Sequence, residues 1–205
     1  FILVPAGHAG ANKELLHNLE LPYQAVTSTD LYLTHYLNDS ANDPVMNRIR
    51  AQKLRNSEED KVKIFFVPSY LNGDDGVFNM PYYDLLVGMD LTAFPSYYEP
   101  WGYTPLESLA FKVPTITTTL AGFGLWVKEH YNMNHPGIEV IHREDGDASN
   151  VATAIAEWVK NYTQVGETEM QKDRDNAKDV SRIALWDNLI NYYKNTDEPT
   201  VILLT

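Results

Sequence analysis

Glu99 and Glu107 lie eight positions apart, on either side of Gly102, in the stretch Tyr98-Glu99-Pro100-Trp101-Gly102-Tyr103-Thr104-Pro105-Leu106-Glu107. Carboxylates in such a place can exchange protons, stabilise developing positive charge or accept hydrogen bonds from a sugar diol. A glycosidase pair is one reading, since that chemistry uses two carboxyl groups at a set separation; spacing along the chain gives no separation in space. Glu99 falls in a loop between a strand and a helix, where neither a cap nor the core accounts for it. A plain surface carboxylate is the competing account. Glu107 has a structural account of its own. Thr104-Pro105-Leu106-Glu107 reads as a capping box with proline at the first helical position, worth about 0.5–2 kcal/mol with its cap. Gly102 lets backbone approach a ligand, and the free N–H groups of the turn that follows form an anion site. A diphosphate fits there without a lysine.

Other residue groups carry less. Leu120-Ala121-Gly122-Phe123-Gly124 holds two glycines of a dinucleotide fingerprint and lacks the third. It is expected to let a sugar or phosphate approach the backbone. His130, His135 and His142 lie near Glu139, Glu144 and Asp145 without any metal-binding spacing, so they read as solvated loop residues and no metal is expected. Arg48, Arg50, Lys53 and Arg55 read as a solvated helix face, with a phosphate effector site as the lesser alternative. No Walker A sequence, serine nucleophile elbow or EF-hand loop is present. The absence of cysteine excludes a disulfide framework, a thiolate zinc site and a cysteine nucleophile.

A net charge of -12 lacks the basic footprint that nucleic acid demands and does not suit an anionic membrane. No apolar run approaches the roughly 20 residues of a spanning helix. Phe1-Ile2-Leu3-Val4-Pro5 has no basic leader, and the chain opens without Met in what reads as the middle of a strand. These features are taken as a fragment boundary and a cytoplasmic setting. The 13 tyrosines and 4 tryptophans of the 205 residues suit sugar or base stacking, although core filling accounts for most of them.

The elements that must position Glu99 follow from alternating apolar runs and helical patterns, which predict a parallel sheet with helices on both faces. Phe1–Val4, Val62–Val67, Leu91–Pro95, Thr115–Thr118 and Glu139–Ile141 are the expected strands; the first two are continuous apolar runs, as in strands covered on both faces. Asp43-Pro44 predicts a capped helix running to Arg55, and Asn79-Met80-Pro81 a similar start before Leu85. Leu106, Leu109, Ala110 and Val113 follow the capping box at helical spacing. Val151, Ile155, Trp158, Val159 and Tyr162 mark one amphipathic helix, and Ile183, Trp186, Ile190 and Tyr193 another within 179–196. The polar segment Gly166–Lys178 reads as a hinge. Asn72-Gly73-Asp74-Asp75-Gly76 is turn chemistry. At this length the chain is one large domain or a tight pair of small ones.

Phe94-Pro95-Ser96-Tyr97-Tyr98-Glu99-Pro100-Trp101-Gly102-Tyr103-Thr104-Pro105, followed by Glu107, closely resembles the glycogen synthase family of the animal and fungal type. The likeness continues through Val113-Pro114-Thr115-Ile116-Thr117-Thr118 and Ala121-Gly122-Phe123-Gly124, and upstream through Phe66-Val67-Pro68-Ser69-Tyr70-Leu71-Asn72 and Phe1-Ile2-Leu3-Val4-Pro5-Ala6. It implies a Rossmann-like, three-layer α/β/α fold, with residues 1–205 forming the C-terminal, nucleotide-sugar-binding domain of a retaining GT-B glycosyltransferase. By resemblance, the parent transfers glucose from UDP-glucose to the non-reducing end of an α-1,4-glucan, with no catalytic metal or cofactor. Glu99 would contact the transferred glucose as the catalytic residue, and Glu107 would hold the ribose. Trp101, Gly102, Tyr103 and Thr104 would line the donor site, the last three offering N–H groups to the diphosphate, while Tyr82 and Tyr70 would sandwich the base. The family's diphosphate-binding Arg and Lys would precede Phe1, as would the N-terminal acceptor domain, so the fragment alone is expected to be inactive. Lys178 and Arg182 stand where relatives carry a dense arginine cluster for glucose-6-phosphate, so that control is not expected. An oligomeric parent is left open. An ADP-glucose-dependent GT-B transferase and a non-catalytic nucleotide- or glucan-binding module are the alternatives.

Overall fold

The computed structural model describes residues 1–20, 32–54, 56–131 and 137–194. They form two compact units, Phe1–Leu85 and Leu86–Thr205. In the first unit β1 (Ile2–Leu3) pairs in parallel with β4 (Phe66–Val67), and Leu33 bridges to Phe66. The expected strand at Val62–Val67 is shortened because the Asn56 side chain occupies both backbone groups of Ile64, at 2.6 and 2.8 Å, before pairing begins. An antiparallel pair, β2 (His8–Ala11) with β3 (His35–Leu37), and α1 (Lys13–Glu20) were not anticipated. Neither short strand has an apolar run to announce it.

The helix at Asp43-Pro44 forms as its sequence dictates. The Asp43 carboxylate accepts from Met46 N at 2.8 Å, and α2 (Pro44–Ala51) buries Met46 and Ile49 against Phe66, Tyr32 and Leu33. It ends earlier than expected, and Arg55 lies outside the described residues. In the Asn72–Gly76 turn the Asp75 carboxylate accepts from the N–H groups of Val77, Phe78 and Asn79, each at 2.9 Å. The turn leads to α3 (Tyr82–Leu86).

The second unit is a three-layer sandwich. Its parallel sheet runs β5 (Thr92–Ala93), β6 (Thr115–Thr118), β7 (Ile138–Ile141). Proline at 95 has no N–H to continue β5. Ile138 and Val140 face a cluster built from α4 (Tyr103–Ala110), α5 (Gly122–His130) and α7 (Glu167–Ile183), with Leu109, Phe123, Val127, Ala177 and Val180 at its centre. Ile116 and Ile141 face the other way, onto the Val151, Ile155, Trp158, Val159 stripe of α6 (Ala148–Tyr162). A hydroxyl ladder docks α4 on the sheet: Thr92 Oγ1 lies 2.6 Å from Ser108 Oγ and 2.9 Å from Thr115 Oγ1. These alternating faces are the three layers expected from the sequence.

The segment expected to act as a hinge, Gly166–Lys178, is instead the body of α7. Its polarity hides a narrow buried stripe of Asp173, Ala177, Val180 and Ser181. Arg174 fastens it by donating to Met89 O at 3.0 Å and to the Asp90 carboxylate at 2.9 Å. After Ile183 the chain breaks helix before α8 (Trp186–Lys194), where Trp186 is exposed; the side chain of Tyr193 lies outside the described residues. Asp173 is only 3 % exposed and its Oδ1 has no hydrogen-bond partner among the described residues. Burial raises its pKa, Glu169 adds to the rise and Lys172 opposes it. A carboxyl raised on folding favours the native state while protonated and penalises it as pH climbs through the native value. Asp173→Asn is therefore expected to raise Tm at pH 7.5, with the gain gone below the ordinary carboxylate value of 3.8, as thermal unfolding at the two pH values would show.

Candidate functional site

The site is assembled at the carboxyl edge of the three-stranded sheet, where α/β folds place their ligands. Beyond β5 the chain turns through Ser96, whose carbonyl accepts from Thr118 Oγ1 at 2.7 Å. It then rejoins the sheet for one residue: Glu99 N donates to Leu120 O at 3.1 Å and Gly122 N to Glu99 O at 3.0 Å, a parallel bridge between Glu99 and Ala121. Phe123 N donates to Trp101 O at 2.6 Å. The loop carrying Glu99 is thus stitched to the start of α5 by main-chain hydrogen bonds.

The stitching reassigns the glycines of Leu120-Ala121-Gly122-Phe123-Gly124. A Cβ on Gly122 would stand 2.1 Å from Pro100 O, and one on Gly124 2.4 Å from Thr118 O. Both glycines admit neighbouring protein backbone, which gives them a structural reason beside the ligand approach expected of the loop.

The capping box also fails. α4 begins at Tyr103, with Gly102 as its N-cap at φ 107° and ψ 75°, and no side chain caps it. Thr104 and Pro105 lie inside the first turn, so Glu107 is two positions too far along to reach back. Gly102 takes a left-handed conformation that only glycine adopts at low cost. The consequence is chemical. The N–H groups of Gly102, Tyr103 and Thr104 have no acceptor among the described residues, and Tyr103 and Thr104 are exposed. Glu107 follows one turn after Tyr103 on the same side of the helix; it is half-buried and its carboxylate makes no hydrogen bond or ion pair among the described residues.

Glu99 is half-buried, and Ser96 Oγ lies 3.5 Å from its Oε2. Tyr98 beside it is 81 % exposed. The Trp101 ring turns inward, edge-on to Phe123 at 5.7 Å and tilted on Trp126 at 5.9 Å. The structure thus groups Glu99, Trp101, Gly102, Tyr103, Thr104 and Glu107 in the second unit. Tyr70 and Tyr82 belong to the first. There Tyr82 N donates to Leu71 O at 2.9 Å and Asn72 bridges Pro81, so the segments bearing the two tyrosines lie side by side. Tyr70 is 77 % exposed.

The histidines make no hydrogen bond or ion pair with Glu99 or Glu107 among the described residues, although His142 follows β7 directly. His142 pairs with Glu144 at 3.0 Å in solvent, and His130 Nδ1 is bound to Trp126 O; His135 lies outside the described residues. Among the described residues no group of three His, Asp or Glu could hold a metal. Arg50 donates to Ser40 O and Oγ, each at 2.8 Å, as part of a solvated face. Two features escaped sequence reasoning. Buried His35 meets Thr34 Oγ1 at 2.8 Å and Asp75 O at 2.9 Å. Arg143, Tyr97 and Asp145 tie the loop after β5 to the loop after β7. Both join residues about 40 or more positions apart, and no local pattern marks them.

A parallel sheet sandwiched by helices, with an uncapped helix start and a stapled acidic loop at its carboxyl edge, is the layout of a Rossmann-like glycosyltransferase domain. Comparison with known proteins gives the family. The glycogen synthase family model matches residues 17–202. Glycogen (starch) synthase isoform 1 of Saccharomyces cerevisiae is 31 % identical over 166 residues, 79 % of this chain and 23 % of the yeast protein. The Caenorhabditis elegans glycogen (starch) synthase is 35 % identical over 158 residues, 76 % of this chain and 23 % of its own. The mouse liver glycogen (starch) synthase is 30 % identical over 169 residues, 82 % and 24 % respectively. The chain belongs to the glycogen synthase family, and it spans about a quarter of the length of these relatives. Among the described residues no helix is long and apolar enough to cross a membrane.

Proposed function

We propose that this chain is the C-terminal, donor-nucleotide half of a cytoplasmic retaining glucosyltransferase that moves glucose from UDP-glucose to the non-reducing end of an α-1,4-glucan. One observation carries the reading: among the described residues the start of α4 presents the N–H groups of Gly102, Tyr103 and Thr104 without an acceptor, one turn from an unpartnered Glu107 carboxylate and next to the loop of Glu99. Unsatisfied N–H groups at the positive end of a helix suit a diphosphate. Glu107 accepts from the ribose hydroxyls, Tyr70 and Tyr82 hold the base, and Trp101 contributes by fixing the loop on Phe123 and Trp126. Glu99 stabilises the positive charge that develops at the glucose as its bond to the diphosphate breaks. Departure and attack on one face then retain configuration, with the leaving phosphate taking the acceptor's proton.

A hydrogen bond to a charged group contributes about 1.5–3 kcal/mol, so Glu107→Ala should weaken binding of UDP by roughly 10- to 100-fold at about 1.4 kcal/mol per decade. Calorimetric titration of the full-length protein reads this directly; unchanged affinity would remove the ribose assignment. Turnover with UDP-glucose and ADP-glucose side by side then settles the donor. Affinity without turnover would identify a binding module.

A further inference from the structure

The loop after β5 has a second set of ties, independent of its stitching to α5. Arg143 follows β7 and is fixed by its own main chain. Its N–H donates to Thr119 Oγ1 at 3.0 Å, and Thr119 N donates to Ile141 O at 3.0 Å. From that base its guanidinium reaches across the end of β6. Nη1 donates to Pro95 O at 2.6 Å, and the group's carbon lies 4.9 Å from the centre of the Tyr97 ring. The Nε is buried and has no hydrogen-bond partner among the described residues, while the Nη1 bond to Pro95 O lies at the surface. Tyr97 in turn donates its hydroxyl to Asp145 at 2.6 Å. That bond, with the carboxylate's charge, raises the Tyr97 pKa and keeps the hydroxyl a donor.

The two residues that Arg143 holds are the neighbours of Ser96 on each side. Ser96 gives its carbonyl to Thr118 and its hydroxyl to the Glu99 carboxylate. A path of contacts therefore runs from Arg143 through Pro95 and Tyr97 to Ser96 and on to Glu99. Arginine, unlike lysine, can donate in plane to a carbonyl while laying a flat face on a ring. We propose that Arg143 is a positioning residue for the transfer reaction, setting the placement of the Glu99 carboxylate through the Pro95–Tyr97 segment. The inference rests on the reading of Glu99 as the residue that meets the transferred sugar.

The test is steady-state kinetics of the full-length protein carrying Arg143→Met, Arg143→Lys, Glu99→Gln and the double variant Arg143→Met with Glu99→Gln. A misplacement of about 1 Å can lower turnover by 10²-fold. Arg143→Met should accordingly lower kcat by roughly 10- to 100-fold while KM for the donor stays within about 3-fold. Arg143→Lys restores the bond to Pro95 O without the ring contact and should recover part of the loss. The double variant should be no slower than Glu99→Gln alone, since one residue acts through the other. Wild-type kcat in Arg143→Met, or losses that multiply in the double variant, would overturn the inference. So would equal falls in kcat, donor affinity and Tm that lysine does not relieve, for that pattern marks plain structural damage. If Arg143→Met does not fold, the lysine variant alone and combined with Glu99→Gln gives the same comparison. Wild-type turnover in Glu99→Gln would instead remove the reading of Glu99, and this inference with it; a defective Glu99→Gln beside an intact Arg143→Met removes only the role of Arg143.

Discussion

Gly122→Ala in the full-length protein is expected to abolish most turnover and to lower stability measurably, although it adds only one methyl group. The new Cβ would lie 2.1 Å from Pro100 O, 3.1 Å from Pro100 C and 3.3 Å from Trp101 Cα. All three atoms are main chain, so no side-chain rotation relieves the clash. Either Gly122 N releases Glu99 O, or Pro100 and Trp101 move as a block. Overpacking of this kind costs about 1–3 kcal/mol, which lowers Tm by roughly 2–12 °C in a chain of this size. Turnover should fall by about 10²-fold, because the displaced segment is the one that carries Glu99. Gly166→Ala is the control. Gly166 has no neighbour within 4 Å of its would-be Cβ, and that variant should keep both stability and activity close to wild type. A Gly122→Ala protein with wild-type Tm and turnover would show that the loops are not stitched as described.

Glu99→Gln should preserve the fold and remove the chemistry. The amide has the shape of the carboxylate, and its oxygen can still accept from Ser96 Oγ, now 3.5 Å from Oε2. What disappears is one negative charge, which in the proposed role stands beside a sugar that becomes cationic. Loss of a single preorganised electrostatic contact typically costs about 10²–10³ in kcat. UDP affinity should be unchanged, because the diphosphate and ribose contacts proposed at Gly102–Thr104 and Glu107 are intact. Transfer from UDP-glucose at the wild-type rate would end the catalytic assignment. A large loss of UDP affinity would move Glu99 into the nucleotide site.

What could be read from the sequence was read where the physical signal is local. β6 appears at Thr115–Thr118, Asp43 caps α2, and the Val151 stripe of α6 faces the sheet, each as expected. Such features depend on periodicity and on side chains a few positions away. The expected start of α4 was misplaced for a non-local reason. Trp101 is held by Phe123 and the left-handed Gly102 turns the chain at once, so helix begins before Thr104 can cap it. α7 reads as a hinge in the sequence because its charge masks the spacing of Asp173, Ala177 and Val180. The glycines of the loop after β6 looked like ligand contacts because sequence cannot show what approaches them. The positions of Glu99 and Glu107 in the chain were visible; the ties of Glu99 to Leu120, Gly122 and the neighbours of Arg143 were not.

The bridge from Glu99 to Ala121 also makes chain length a coordinate of the site. Pairing runs in step at Ala93 with Ile116 and resumes at Glu99 with Ala121. Between those pairs the β5 side takes six steps and the β6 side five, so one residue is surplus and must bulge. Side chains alternate faces along extended backbone, and a shift of one residue reverses them. Substitution at a solvent-facing position such as Tyr98 leaves this count untouched, whereas a single insertion or deletion between Phe94 and Tyr98 does not. For anyone transplanting this loop into a different α/β scaffold, the number of residues between the two pairs matters more than most of their identities.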